Sequence, residues 1–111
     1  MKILVTGKNG QIGRCLVEQL STMPDVTLLA LDRDQLDITD PINVNNVVAE
    51  FIPNIIINAA AYTAVDKAEQ ERELAYAINR DGPYNLAVAA NNINATIIHI
   101  STDYVFAGDS L

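Results

Sequence analysis

An open α/β fold, a doubly wound sheet of parallel strands with helices on both faces, is predicted by three observations. Short apolar runs alternate with stretches of helical period. The runs are continuously β-branched and Leu-rich, and the first leads straight into glycines at three-residue spacing. Strands covered on both faces need that unbroken apolar character, whereas a half-exposed strand alternates apolar with polar.

Lys2 to Val5 predicts the first strand, and Gly7-Lys8-Asn9-Gly10-Gln11-Ile12-Gly13 the turn that leaves it. Ile12, Leu16, Val17 and Leu20 then recur at the spacing of one helix face. Val26 to Leu31 predicts the second strand. Asp40-Pro41 reads as an N-cap with proline at N1, and Val44, Val47, Val48 and Phe51 form the buried stripe of the helix that follows. Pro53-Asn54 ends that helix and leads into a third strand, Ile55 to Asn58. From Val65 to Asn91 the pattern is helical again. Gly82-Pro83 either separates two helices there or bends a single one. Leu86, Val88, Ala89 and Ala90 are assigned to its packing face and Asn91-Asn92 to its exit. Thr96 to Ile100 predicts the fourth strand, and the crossovers between strands are expected to be right-handed. The sequence continues eleven residues past that strand without a closing helix, so the expected sheet is one truncated after its fourth strand. Its exposed edge would need the rest of the fold to cover it.

Composition narrows the function classes. The 111 residues fit one small domain, and a hydrophobic half is enough for a core. Seven Lys/Arg against fourteen Asp/Glu give a net charge of -7, which disfavours a general nucleic-acid or anionic-membrane surface. Cys15 is alone, so an intrachain disulfide or thiolate metal cluster is excluded, and it reads as a small helix residue. No apolar run approaches the ~18 residues of a membrane span. Met1-Lys2 opens a strand and not a signal peptide, and a soluble, cytoplasmic protein is expected.

The glycine turn points to a dinucleotide. Gly7 permits a tight turn off the first strand, Gly10 lets backbone approach a pyrophosphate, and Gly13 allows close packing of helix on strand. A helix starting near Gln11 aims unpaired N–H groups and the positive end of its dipole at phosphates. The spacing is G-x-x-G-x-x-G, a variant of the commoner G-x-G-x-x-G. Asp32 ends the second strand nineteen residues after Gly13, where a carboxylate accepts both ribose hydroxyls of an adenosine. That favours NAD, although Arg33 beside it suits the 2′-phosphate of NADP; a solvated Asp32-Arg33-Asp34 loop is the plain alternative. Asp37 and Ile38 read in two ways: a carboxylate and an apolar wall for adenine, or a turn carboxylate and a core isoleucine. After the third strand, Asn58-Ala59-Ala60-Ala61 has small side chains that leave room for a ligand over the backbone, with Tyr62 and Thr63 next along the crevice.

Three strings together carry a resemblance: Gly7 to Gly13, Asn58-Ala59-Ala60-Ala61-Tyr62-Thr63-Ala64-Val65-Asp66, and Ser101-Thr102-Asp103-Tyr104-Val105-Phe106. The last is more telling than the glycines. In these the chain resembles the dTDP-4-dehydrorhamnose reductase family, extended short-chain dehydrogenase/reductases with a Rossmann-like fold, over their N-terminal part. The resemblance implies reduction by NADH or NADPH of the C4 ketone of dTDP-4-dehydrorhamnose, giving dTDP-L-rhamnose for bacterial surface polysaccharide such as lipopolysaccharide. It implies that Thr102 hydrogen-bonds the substrate C4 oxygen as a catalytic hydroxyl, and that Gly10, Gln11 and Ile12 hold the pyrophosphate. Asp32 and Arg33 would take the adenosine ribose region, Asp37 and Ile38 the adenine, and Ala60, Ala61 and Tyr62 the path toward the nicotinamide. Asn79 matches a helix asparagine of these enzymes. A homodimer is also implied, with an interfacial Mg2+ site in some members. No metal-ligand cluster is read from this sequence itself.

The family's Tyr-x-x-x-Lys pair, whose tyrosine donates a proton and whose lysine lowers that tyrosine's pKa, has no counterpart here. Four positions after Tyr62, Tyr76, Tyr84 and Tyr104 stand Asp66, Arg80, Val88 and Gly108. The expectation is therefore a cofactor-binding portion without a proton donor or substrate lobe. Rival readings are another extended nucleotide-sugar reductase or epimerase, a non-catalytic NADP-binding subunit like that of methionine adenosyltransferase, and a purely structural α/β domain.

Overall fold

The computed structural model of the protein describes residues 1–60 and 77–100. Four parallel strands form one sheet: β1 (Lys2–Thr6), β2 (Thr27–Leu31), β3 (Ile55–Asn58) and β4 (Thr96–His99), in the order β2-β1-β3-β4. They agree with the predicted strands to within a residue at each end. The chain steps from β1 to β2 on one side and returns to place β3 on the other. The carboxyl ends of β1 and β3 are thus neighbours at the point where strand order reverses, with Thr6 in register with Asn58. In open α/β sheets that is where ligands bind.

Side chains alternate across the sheet, and each face builds its own core. Leu4 and Ile56 point to one face, where Val44 and Val48 of α2 (Pro41–Phe51) and Leu86, Ala89 and Ala90 of α3 (Gly82–Asn92) bury them. Ile3, Val5 and Ile57 point to the other, against Leu16 and Leu20 of α1 (Gln11–Leu20). Helix α2 begins as predicted. The Asp40 carboxylate accepts the amides of Ile42 at 3.0 Å and Asn43 at 3.4 Å, and Pro41 fills the first turn, where its missing N–H costs nothing.

Helical geometry runs unbroken through Gly82-Pro83, which do not separate two helices there. Ala77–Asp81 forms a π-helical turn that runs directly into α3, with Asp81 itself in helical backbone geometry. Two facts make this feasible. A residue before proline is kept out of the helical region mainly by its Cβ and N–H, and glycine lacks the Cβ. A wider turn also accommodates the missing donor of Pro83. Glycine at 82 also suits the packing, because a Cβ there would meet the side chain of Ile38 and force it to shift. Val88, expected on the packing face, is instead 40% exposed. Leu86, Ala89 and Ala90, three and four residues apart, make the buried face, and Val88 lies round the helix from them. The helix exits at Asn92, as expected.

Strand β4 is an edge strand of the sheet among the described residues, and its Ile98 is 45% exposed. Among the described residues no helix is long and apolar enough to cross a membrane.

Candidate functional site

The turn after β1 is built by contacts within the chain. Gly7 adopts φ +71°, and a Cβ on it would lie 2.7 Å from Ala60 N and Cα. Both conditions exclude other residues there. A Cβ on Gly13 would strike the Gly7 carbonyl oxygen, so α1 can cross this close only with glycine at 13. The turn is fastened by Gly10 N–H donating to the Gly7 carbonyl at 3.1 Å and Lys8 N–H to the Leu31 carbonyl at 3.2 Å.

Gly10 is different. The nearest atom to a Cβ there is the Gly7 oxygen at 3.5 Å, an ordinary contact, and its φ of -75° suits any residue. Nothing within the described chain requires glycine at that position. It is also the N-cap of α1, and no side chain caps that helix, whereas α2 has Asp40. Among the described residues no side chain accepts the first amides of α1, an arrangement that suits an anion.

Beyond the turn lies a hollow of about 210 Å3. Its walls include Gly7, Asn9 and Gly10 on one side, Asp32, Arg33, Leu36, Asp37 and Ile38 on a second, and Ala59, Ala60 and Ile78 on a third. Of the sequence-derived site residues, Gly7, Gly10, Asp32, Arg33, Asp37, Ile38 and Ala60 are brought together here. Gln11, Ile12 and Gly13 are not lining residues: Gln11 is exposed at the start of α1, Ile12 half-buried and Gly13 buried under the Gly7 carbonyl. Ala61, Tyr62 and Thr102 lie outside the described residues, as does the side chain of Asn79. The volume is below the roughly 300–1,000 Å3 that encloses a drug-sized ligand, so this hollow suits one end of a dinucleotide.

The hydrogen bonds of the second wall refine the earlier alternatives. Asp32 Oδ1 accepts the amides of Asp34 and Gln35, both at 3.0 Å, which shapes the turn after β2. Its Oδ2 receives the Asn9 amide at 3.4 Å, joining this turn to the glycine turn. Asp37 Oδ1 accepts from the Thr39 amide at 3.0 Å and hydroxyl at 2.6 Å, so Asp37 is a turn carboxylate on the rim. Ile38 is 4% exposed, packed on Gly82, with its carbonyl receiving the Asn85 amide at 2.9 Å. It is both core residue and floor of the hollow. Sequence reasoning missed Asn9, Leu36 and Ile78, which reach the hollow only because separate strands and helices converge on it.

Parallel strands, a glycine turn at the switch point and an uncapped helix behind it define a Rossmann-like α/β domain. The chain belongs to the family described as RmlD substrate binding domain, which matches residues 1–111. It is similar to the dTDP-4-dehydrorhamnose reductase of Aggregatibacter actinomycetemcomitans, 49% identical over 107 residues that cover 96% of this chain and 36% of that protein. The chain thus spans about a third of the length of the curated relatives it matches. Among solved structures, the dTDP-4-dehydrorhamnose reductase of Bacillus anthracis in complex with NADP matches with a TM-score of 0.85. It is 49% identical, over 97% of this chain and 38% of that one. A dTDP-4-dehydrorhamnose reductase from Clostridium acetobutylicum matches with a TM-score of 0.87 and 51% identity, over 98% of this chain and 39% of that one.

Proposed function

We propose that the protein is the cofactor-binding portion of an oxidoreductase that reduces the C4 ketone of dTDP-4-dehydrorhamnose with NADPH or NADH. One observation carries the cofactor reading: Gly10 is a glycine that packing does not require, lining a hollow at the uncapped start of α1. Removing a side chain there clears a path for a pyrophosphate to the amides of Gln11, Ile12 and Gly13. Asp32 and Arg33 then take the adenosine ribose region. Asp32 Oδ2 accepts one long bond from Asn9 and keeps room for a ribose hydroxyl, while the exposed Arg33 beside it suits a 2′-phosphate, so the pair accepts NADH or NADPH. When bound, the nicotinamide supplies the reducing equivalent. Thr102 orients the substrate carbonyl, and Ala60, Ala61 and Tyr62 flank the route between adenosine and nicotinamide. The full-length protein works as a cytoplasmic homodimer on a nucleotide sugar. This chain, which has no Tyr-x-x-x-Lys, binds dinucleotide and turns over nothing detectable alone.

The decisive test is Gly10→Val. A Cβ at this exposed position meets nothing closer than the Gly7 oxygen at 3.5 Å, so the thermal midpoint should stay near that of the parent while NADPH affinity, read by fluorescence titration, falls at least tenfold. Unchanged affinity would remove the carrying observation. Arg33→Ala should weaken NADPH more than NADH; equal losses would return weight to Asp32 and NAD.

A further inference from the structure

Three polar side chains cross the carboxyl edge of the sheet at one register level: Thr6 on β1, Asn58 on β3 and His99 on β4. Thr6 and Asn58 are 1% and 3% exposed, deep for polar groups, and each is hydrogen-bonded. The Thr6 hydroxyl donates to Asn58 Oδ1 at 2.7 Å, and the Ala60 amide donates to the same oxygen at 3.1 Å. The preceding amide, of Ala59, donates to the Thr6 carbonyl at 3.3 Å. Two consecutive amides of the segment after β3 are thus tied to β1 and β3, where this backbone passes over Gly7. Gly7, Ala59 and Ala60 all line the hollow, while Asn58 does not.

The amide of Asn58 has a defined orientation. Its oxygen must face the Ala60 N–H, which can only donate, so its nitrogen faces His99 Nδ1 at 3.3 Å. That nitrogen can only donate, and the ring nitrogen must therefore be the acceptor. His99 is then neutral with its proton on Nε2. Protonating the ring turns Nδ1 into a second donor pointed at Asn58.

We propose that Asn58 is a positioning residue for the bound dinucleotide, acting through Ala60, and that neutral His99 holds its amide in the working orientation. The proposal rests on the dinucleotide reading of the hollow and adds a residue that touches no ligand. Partial burial lowers the pKa of His99 from the ordinary imidazole value of 6.5. Strand β3 carries no ionisable side chain, α3 only Tyr84, and the turn leading into α3 Arg80 and Asp81, which pair with each other at 3.0 Å; among the described residues no carboxylate pairs with the ring. The clamp is accordingly complete above the ordinary imidazole value and is lost as pH falls through the lower folded value.

His99 is the sole histidine of the 111 residues, so its ring nitrogens can be followed directly by 15N NMR. The expected result is the Nε2–H tautomer at neutral pH. The protection factor of the Ala60 amide, corrected for intrinsic exchange, should fall about 2- to 10-fold as the ring protonates, the worth of one net hydrogen bond. His99→Phe, at an edge-strand position where the residue as a whole is exposed and only its Nδ1 side faces Asn58, should fold normally, abolish that step and weaken NADPH by a similar factor. Asn58→Leu should lose the step as well, but it leaves the buried Thr6 hydroxyl and the partly buried Ala60 amide unpaired and can fail to fold, so His99→Phe decides. An Nδ1–H tautomer, or Ala60 protection flat through the titration of His99, overturns the clamp even if NADPH binds. A clear Ala60 step with no NADPH binding by the parent would uphold the clamp while overturning the dinucleotide reading.

Discussion

The two faces of the sheet are built to different depths. On the face covered by α2 and α3, ten side chains are buried among the described residues, including Leu4, Ile56 and Leu86 at 0% exposed. On the face covered by α1 the buried apolar cluster among the described residues is Ile3, Val5 and Ile57, and the helix contributes partly exposed Leu16 and Leu20. Yet the sparse face carries the glycine turn, and the glycines there allow α1 to sit close over the start of the site. Among the described residues, apolar burial is concentrated on one side and close approach of backbone on the other. The same division recurs at the helix starts, where α2 is capped by Asp40 and α1 by no side chain.

The largest effect should come from hollowing the filled face. Leu86→Ala removes a fully buried side chain whose neighbours are fixed by two helices, and should cost about 2–5 kcal/mol in urea unfolding. Leu20→Ala on the sparse face should cost well under half as much. Equal losses would break the comparison. Next comes Gly13→Ala, which drives a methyl into the Gly7 carbonyl and should cost about 1–3 kcal/mol. Because the strain falls on the turn, NADPH affinity should suffer more than that of Leu20→Ala, and binding measured on both variants tests the assignment of function to the α1 side. Asp40→Ala strips the cap from α2 and should cost about 1 kcal/mol. The equivalent change at Gly10, the cap position of α1, has no side-chain bond to lose, so any loss there should appear in ligand affinity.

Much of this was written in local sequence. The strands were legible because burial on both faces demands unbroken apolar runs, and the start of α2 because Asp40-Pro41 is a cap signal that depends on adjacent residues alone. The glycine turn was legible as a cluster, although only its contacts separate Gly7 and Gly13, which packing requires, from Gly10, which it does not. What stayed hidden depends on partners distant in the chain. Val88 is apolar but lies off the face defined by Leu86, Ala89 and Ala90. Asp32 lines the hollow as the sequence suggested, but its bonds to its own turn and to Asn9, 23 residues away, could not be read from its neighbours in the chain. Thr6, Asn58 and His99 meet only through the register of three strands.

The smallest effect runs the other way and belongs to the exit of α2. Ile52 occupies the left-handed region at φ 50°, donating its amide to the Val48 carbonyl at 2.8 Å to close the helix. A β-branched residue is crowded there, and 56% of it is exposed, so little burial offsets the strain. Glycine adopts this conformation without a Cβ clash and is the usual residue just past a helix end. Ile52→Gly should therefore stabilise by about 0.5 kcal/mol, the relief of backbone strain slightly exceeding the added entropy of the unfolded chain. Denaturant midpoints of parent and variant should separate accordingly, with NADPH affinity unchanged because the residue is remote from the hollow. A destabilised variant would mean that the exposed isoleucine packs better than its surface suggests, and that the filled face extends past the end of α2.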